Sequence, residues 1–122
     1  KKYFDNALFV PVPLHENRFR KRGFNQSEII AEQFGKLINM EVCSNVVFRK
    51  KDTPPQAFKK TREDRFTNMR GAFFIDQKNN DIYGKTLIVV DDIWTTGSTI
   101  KEIAKTIKKN TPTRVYALTL AR

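Results

Sequence analysis

The chain of 122 residues contains one cysteine, one histidine and one tryptophan. A lone Cys43 forms no intramolecular disulfide and anchors no zinc site, and its setting in EVCSNVVF predicts a buried thiol rather than a reactive one. With His15 the sole imidazole, histidine-rich metal sites and Ser-His-Asp catalysis are set aside. No apolar run is long enough to span a bilayer and no signal peptide opens the chain, so a cytoplasmic protein is expected. Because an apolar strand follows Lys1 almost at once, a piece of a longer or processed protein is also expected. The length suits one domain over residues 1–122.

Acidic residues are scarce as well, 13 against 23 lysines and arginines, for a formal charge of +10. The excess concentrates between residues 15 and 70, in RFRKR (18–22), RKK (49–51) and KKTR (59–62). Such a field attracts polyanions: a phosphorylated metabolite, a nucleic acid or a membrane surface. The basic residues do not follow one amphipathic helix, which argues against the membrane.

ALFVPVPL (7–14) reads as a buried strand stopped by two prolines. From Asn25 the pattern turns helical, with Ile29, Ile30, Phe34, Leu37 and Ile38 predicted as one apolar face and Asn25 or Ser27 as the N-cap. EVCSNVVF (41–48) suggests a second strand. Residues 51–68 sustain neither helical nor strand periodicity, carry a proline pair and many charges, and are read as a mobile lid. GAFFID (71–76), LIVVDD (87–92) and RVYALTLA (114–121) are predicted strands, the last one buried. Between the latter two, Ile100, Ile103, Ala104 and Ile107 form a helical stripe. The alternation predicts an α/β fold: an open, mostly parallel twisted sheet flanked by helices.

The chemistry concentrates in LIVVDDIWTTGST, Leu87 to Thr99. Ligands of parallel sheets sit beyond the carboxyl ends of the strands, where Asp91 to Thr99 fall. A helix start carries the positive end of the dipole and N–H groups outside the helix's own ladder. Gly97 permits close backbone approach, and Thr95, Thr96, Ser98 and Thr99 add hydroxyls, together a cradle for a monophosphate. The segment lacks the spacing and the lysine of a nucleoside-triphosphate loop. Asp91 and Asp92 supply acceptors for adjacent hydroxyls, and a vicinal diol beside a phosphate describes a ribose 5-phosphate.

This segment resembles the phosphoribosyl pyrophosphate (PRPP) signature of the type I phosphoribosyltransferases. The stretches VPVPLHENRFRKRGFNQSE (10–28) and DTPPQAFKKTREDRFTNMRGAF (52–73) are similar to the competence protein F (ComF/GntX) family, which carries PVPLH, RGFNQ, TPPQ and R-x-x-N-x-x-G-A-F in this order. The resemblance implies a phosphoribosyltransferase-like fold, in which Asp91 and Asp92 meet the ribose hydroxyls and residues 95 to 99 the 5-phosphate. It implies that the loop from Pro11 to His15, including Pro13, lies beside the pyrophosphate. Residues 51–68 would close over PRPP with Lys59, Lys60, Arg62 and Arg65, and Arg22 would approach the same anion from the opposite side. Mg²⁺ would arrive ligated mainly by PRPP, with Asp91 or Asp92 within reach.

The family's 6-oxopurine enzymes carry aspartate where Thr95 stands, which argues against that substrate class. Trp94 is read as packing beneath the loop, with stacking on an acceptor the alternative. Neither a hood segment for the acceptor nor the cysteine-containing zinc module of the family is visible in these residues. The expected activity is transfer of a phosphoribosyl group from PRPP to an unidentified acceptor, linked to DNA uptake and the competence machinery. The alternative is a non-catalytic module on the same fold, either sensing PRPP or binding single-stranded DNA through basic residues interleaved with Phe19, Phe24, Phe58 and Phe66. Core packing is the favoured reading of those four phenylalanines.

Overall fold

The structure, a computed structural model, describes residues 6–50, 70–76, 82, 84–93, 97–110 and 113–121. The predicted lid at 51–68, with Phe58, Phe66, Lys59, Lys60, Arg62 and Arg65, lies outside them, as do Trp94, Thr95 and Thr96. Strand β1 spans Ala7–Pro11, followed by helices α1 (Glu16–Arg22) and α2 (Gln26–Ile38). Strands β2 (Glu41–Val42), β3 (Val47–Arg49), β4 (Phe73–Ile75) and β5 (Thr86–Ile93) come next, then α3 (Ser98–Asn110) and β6 (Val115–Ala121).

Four strands form a parallel sheet in the order β2-β1-β5-β6. Phe9 pairs with Ile88 and Val10 with Val89, so the two most apolar strands lie side by side at its centre. Both are buried on both faces. Leu8, Val10, Leu87 and Val89 pack with Ile100, Ile103 and Ile107 of α3, whereas Phe9, Ile88 and Val90 pack with Ile30 and Ala31 of α2. The chain leaves β1 toward β2 on one side and leaves β5 toward β6 on the other. The crevice between the carboxyl ends of β1 and β5 is therefore a topological switch point.

Four sequence expectations are corrected here. EVCSNVVF is not one strand: β2 joins the parallel sheet, while β3 pairs antiparallel with β4 in a separate ribbon. Cys43, between them, is only partly buried, its thiol 3.2 Å from Asn45 Oδ1. The buried stripe of α2 is Ser27, Ile30, Ala31 and Gly35 rather than the large residues Ile29, Leu37 and Ile38, which are exposed. Among the described residues strand β6 lies at the sheet edge, and its Tyr116 and Leu120 are exposed because α2 packs mainly on β1 and β5. The sequence pattern also missed α1, a short basic helix without apolar periodicity.

The ribbon is fastened to α3. Gly71, at φ 69°, donates its N–H to Glu102 Oε2 at 3.1 Å, and Ala72 and Phe73 are buried in the α3 side of the core. Lys50 N–H donates to the Ala72 carbonyl at 2.8 Å, extending the pairing one residue beyond β3.

Candidate functional site

The carboxyl ends of β1 and β5 meet where the backbone N–H of Val12 donates to the Val90 carbonyl at 2.9 Å. This bond places the start of the loop carrying Pro13 and His15 next to Asp91. Both loop residues are partly buried, and the His15 carbonyl accepts from Phe19 N–H at 3.0 Å to begin α1.

Asp91 Oδ1 accepts two hydrogen bonds, from the Asp92 backbone N–H at 2.9 Å and from the Ser27 hydroxyl at 3.1 Å. Neither uses Oδ2. Burial raises the Asp91 carboxyl from 3.8 to about 6, and the adjacent Asp92 carboxyl adds to the rise. The Asp92 N–H and the Ser27 hydroxyl oppose it by bonding the ionised form. The site thus holds one carboxylate whose charge is costly without a ligand, beside a second one on the same strand end.

Beyond β5 the chain re-enters described structure at Gly97, buried and at φ 78°, a left-handed conformation that favours glycine. Lys101 N–H donates to its carbonyl at 2.8 Å, closing the first turn of α3. Ser98 is buried and Thr99 partly buried at that turn, so the positive end of the α3 dipole faces the carboxyl side of the sheet.

Arg22 is exposed in the last turn of α1, with its guanidinium 6.0 Å from the centre of the Phe24 ring. Phe19 and Phe24 are 45% and 42% exposed, so the core-packing expectation fails for both. Phe19 lines an open cavity of about 390 Å³ with Pro13, Asn25, Phe48, Arg49 and Phe74.

In the sequence Asn25 and Ser27 read only as alternative helix caps. The structure makes Asn25 the N-cap, its Oδ1 accepting from Ser27 N–H at 3.0 Å, while its Nδ2 donates to the Val12 carbonyl at 3.1 Å. The available signal was a hydroxyl at position 27, three, four and eight residues before the buried Ile30, Ala31 and Gly35. A polar side chain on a buried stripe needs a partner.

Parallel sheet, switch point, paired carboxylates and the glycine before α3 occur here in one order. A family model for the phosphoribosyl transferase domain matches residues 20–122. The chain belongs to the phosphoribosyl transferase domain family. Within it, the chain is similar to Competence protein F of Haemophilus influenzae, 33% identical over 113 residues, which is 93% of this chain and 49% of that protein. DNA utilization protein YhgH of Escherichia coli K12 is 34% identical over 93% of this chain and 48% of its own length. Competence protein ComFC of Bacillus subtilis is 30% identical over 94% and 44%. The phosphoribosyl transferase domain thus spans about half the length of the relatives it matches. Among its described residues, no helix is long and apolar enough to cross a membrane.

Proposed function

We propose that this chain binds PRPP across the ends of β1 and β5 and transfers its 5-phosphoribosyl group to an acceptor, releasing pyrophosphate. The observation that carries this reading is the Asp91–Asp92 pair at the end of β5, directly ahead of the Gly97 turn and α3 at the switch point. Asp91 and Asp92 accept from the ribose hydroxyls, and Thr95 to Thr99 hold the 5-phosphate at the positive end of α3. The loop through Pro13 and His15 borders the pyrophosphate. In the transfer the bond from the anomeric carbon to pyrophosphate breaks, the bond to the acceptor forms, and positive charge develops on the ribose between them. Two adjacent carboxylates favour that charge. They are also a donor set suited to a magnesium ion that keeps substrate oxygens and water, and such an ion would offset the charge of the departing pyrophosphate. Lys59, Lys60, Arg62 and Arg65 would supply further positive charge there. The relatives' names, Competence protein F and DNA utilization protein YhgH, support a role linked to competence and DNA, and the proposed place of action is the cytoplasm.

Calorimetric titration with PRPP and Mg²⁺, with ribose 5-phosphate as control, tests this reading. Wild type is expected to bind, and Asp92→Ala to bind at least about tenfold more weakly through loss of a charge-assisted acceptor. Equal affinity of the two proteins overturns the assignment of Asp92. Pyrophosphate release with trial acceptors then separates a transferase from a PRPP sensor.

The exposed Phe19 and Phe24 favour a second reading, single-stranded DNA binding beside the same fold. Arg20, Lys21 and Arg22 flank them on α1, and Phe48 and Phe74 stack 5.5 Å apart in the wall of the cavity that Phe19 lines. Backbone charge and ring stacking are what a single strand requires. Binding is expected to weaken steeply with salt, and replacing Arg20, Lys21 and Arg22 by glutamate to flatten that slope. A slope unchanged by the triple substitution removes α1 from the interface.

A further inference from the structure

We propose that Asn25 and Ser27 are positioning residues: a hydrogen-bonded strut that fixes the separation between the ribose-binding carboxylate and the loop after β1. The inference rests on the PRPP reading and assigns to these two residues the span between the two ends of that site. The chain of contacts runs from the Val12 carbonyl to Asn25 Nδ2 at 3.1 Å, from Asn25 Oδ1 to Ser27 N–H at 3.0 Å, and from the Ser27 hydroxyl to Asp91 Oδ1 at 3.1 Å.

Capping α2 requires only the Oδ1 contact. The amide's second bond reaches across to the backbone of the loop after β1, and the Ser27 hydroxyl reaches the end of β5, 64 residues away in sequence. Neither bond serves the helix. Ser27 is 5% exposed, and burying a hydroxyl there is costly unless it is paired. Its partner is a carboxylate in the candidate site. By holding Oδ1, Ser27 and the Asp92 N–H fix the orientation of the carboxyl. Displacing such a support by a fraction of an ångström misaligns both contacts of a ligand spanning them.

Two substitutions in the intact protein test the strut. Asn25→Asp keeps the cap acceptor but loses the donor to Val12, and aspartate and asparagine cap helices about equally well. Its melting temperature is expected to match wild type, its affinity for PRPP to fall about tenfold, and its affinity for ribose 5-phosphate, which has no group for the loop after β1, to stay within about twofold. Ser27→Ala is expected to weaken both ligands about tenfold and to leave pyrophosphate binding unchanged. If wild type binds PRPP and both variants match it, the strut is overturned and the proposed function stands. If Asn25→Asp melts earlier and weakens both ligands equally, the bond to Val12 serves folding rather than the spacing of the site, and the strut is overturned. If wild type does not bind PRPP, the proposed function and the strut fall together.

Discussion

Asp91→Asn is expected to raise the melting temperature at neutral pH while weakening PRPP binding. In the folded protein burial moves the Asp91 carboxyl from 3.8 to about 6, so its ionised form is disfavoured by folding. The stability associated with the neutral carboxyl is complete below about pH 4 and lost as pH rises through about 6. The gap between the two values corresponds to at most about 3 kcal/mol. Asparagine keeps an acceptor for Ser27 and for the Asp92 N–H but does not ionise. Its advantage is therefore full above about pH 6 and absent below about pH 4. Thermal melts of both proteins across this range read the effect directly, and parallel pH profiles would show that Asp91 is not the group responsible. Ligand affinity moves the other way. The ionised carboxylate is the stronger acceptor for ribose hydroxyls, so wild-type affinity for PRPP is expected to fall as pH drops below about 6. The asparagine variant should bind roughly tenfold more weakly at neutral pH. A residue that costs stability and serves binding is the pattern expected of a functional group.

Gly35→Ala is expected to destabilise the fold, although alanine is the better helix former. In an open helix the exchange would stabilise by about 1 kcal/mol. Here α2 ends at Asn39, in left-handed conformation at φ 57°, and the N–H groups of Asn39 and Met40 both donate to the Gly35 carbonyl. That turn folds Met40 and Val42 back over the helix. A Cβ at position 35 would lie 2.7 Å from the Met40 carbonyl oxygen and 2.9 Å from Val42 Cγ2. The first contact is backbone, so relief requires moving β2 away from α2. Overpacking of this kind costs about 1–3 kcal/mol, so after the helical gain a net loss of up to about 2 kcal/mol is expected. Chemical denaturation measures it, and a more stable variant would mean that β2 moves freely.

Strands β1 and β5 were legible because burial on both faces leaves unbroken apolar runs, and α3 because four apolar residues keep helical spacing. The α2 stripe departs from the pattern for a physical reason: the pattern weighs large residues, whereas the chain entering β2 approaches the helix closely at Gly35, which has no side chain to block it. RVYALTLA reads as a core strand, yet among the described residues it has a neighbouring strand on one side and α2 packs mainly on β1 and β5, which exposes Tyr116 and Leu120. Apolar content alone does not distinguish an edge from a centre. In the site, Asp91, Asp92 and the Gly97 turn followed from local order in the sequence. The bonds joining Val12, Asn25, Ser27 and Asp91 did not, because they link segments that only the sheet order brings together.

The ribbon of β3 and β4 holds Lys50 and Ala72 in register, so residues 51–69 begin and end at the same place whatever path they follow. Their ends are joined by a ladder separate from the parallel sheet. A change in the length of the chain between Lys50 and Ala72 is therefore absorbed at the ribbon and leaves the register of β1 against β5 untouched.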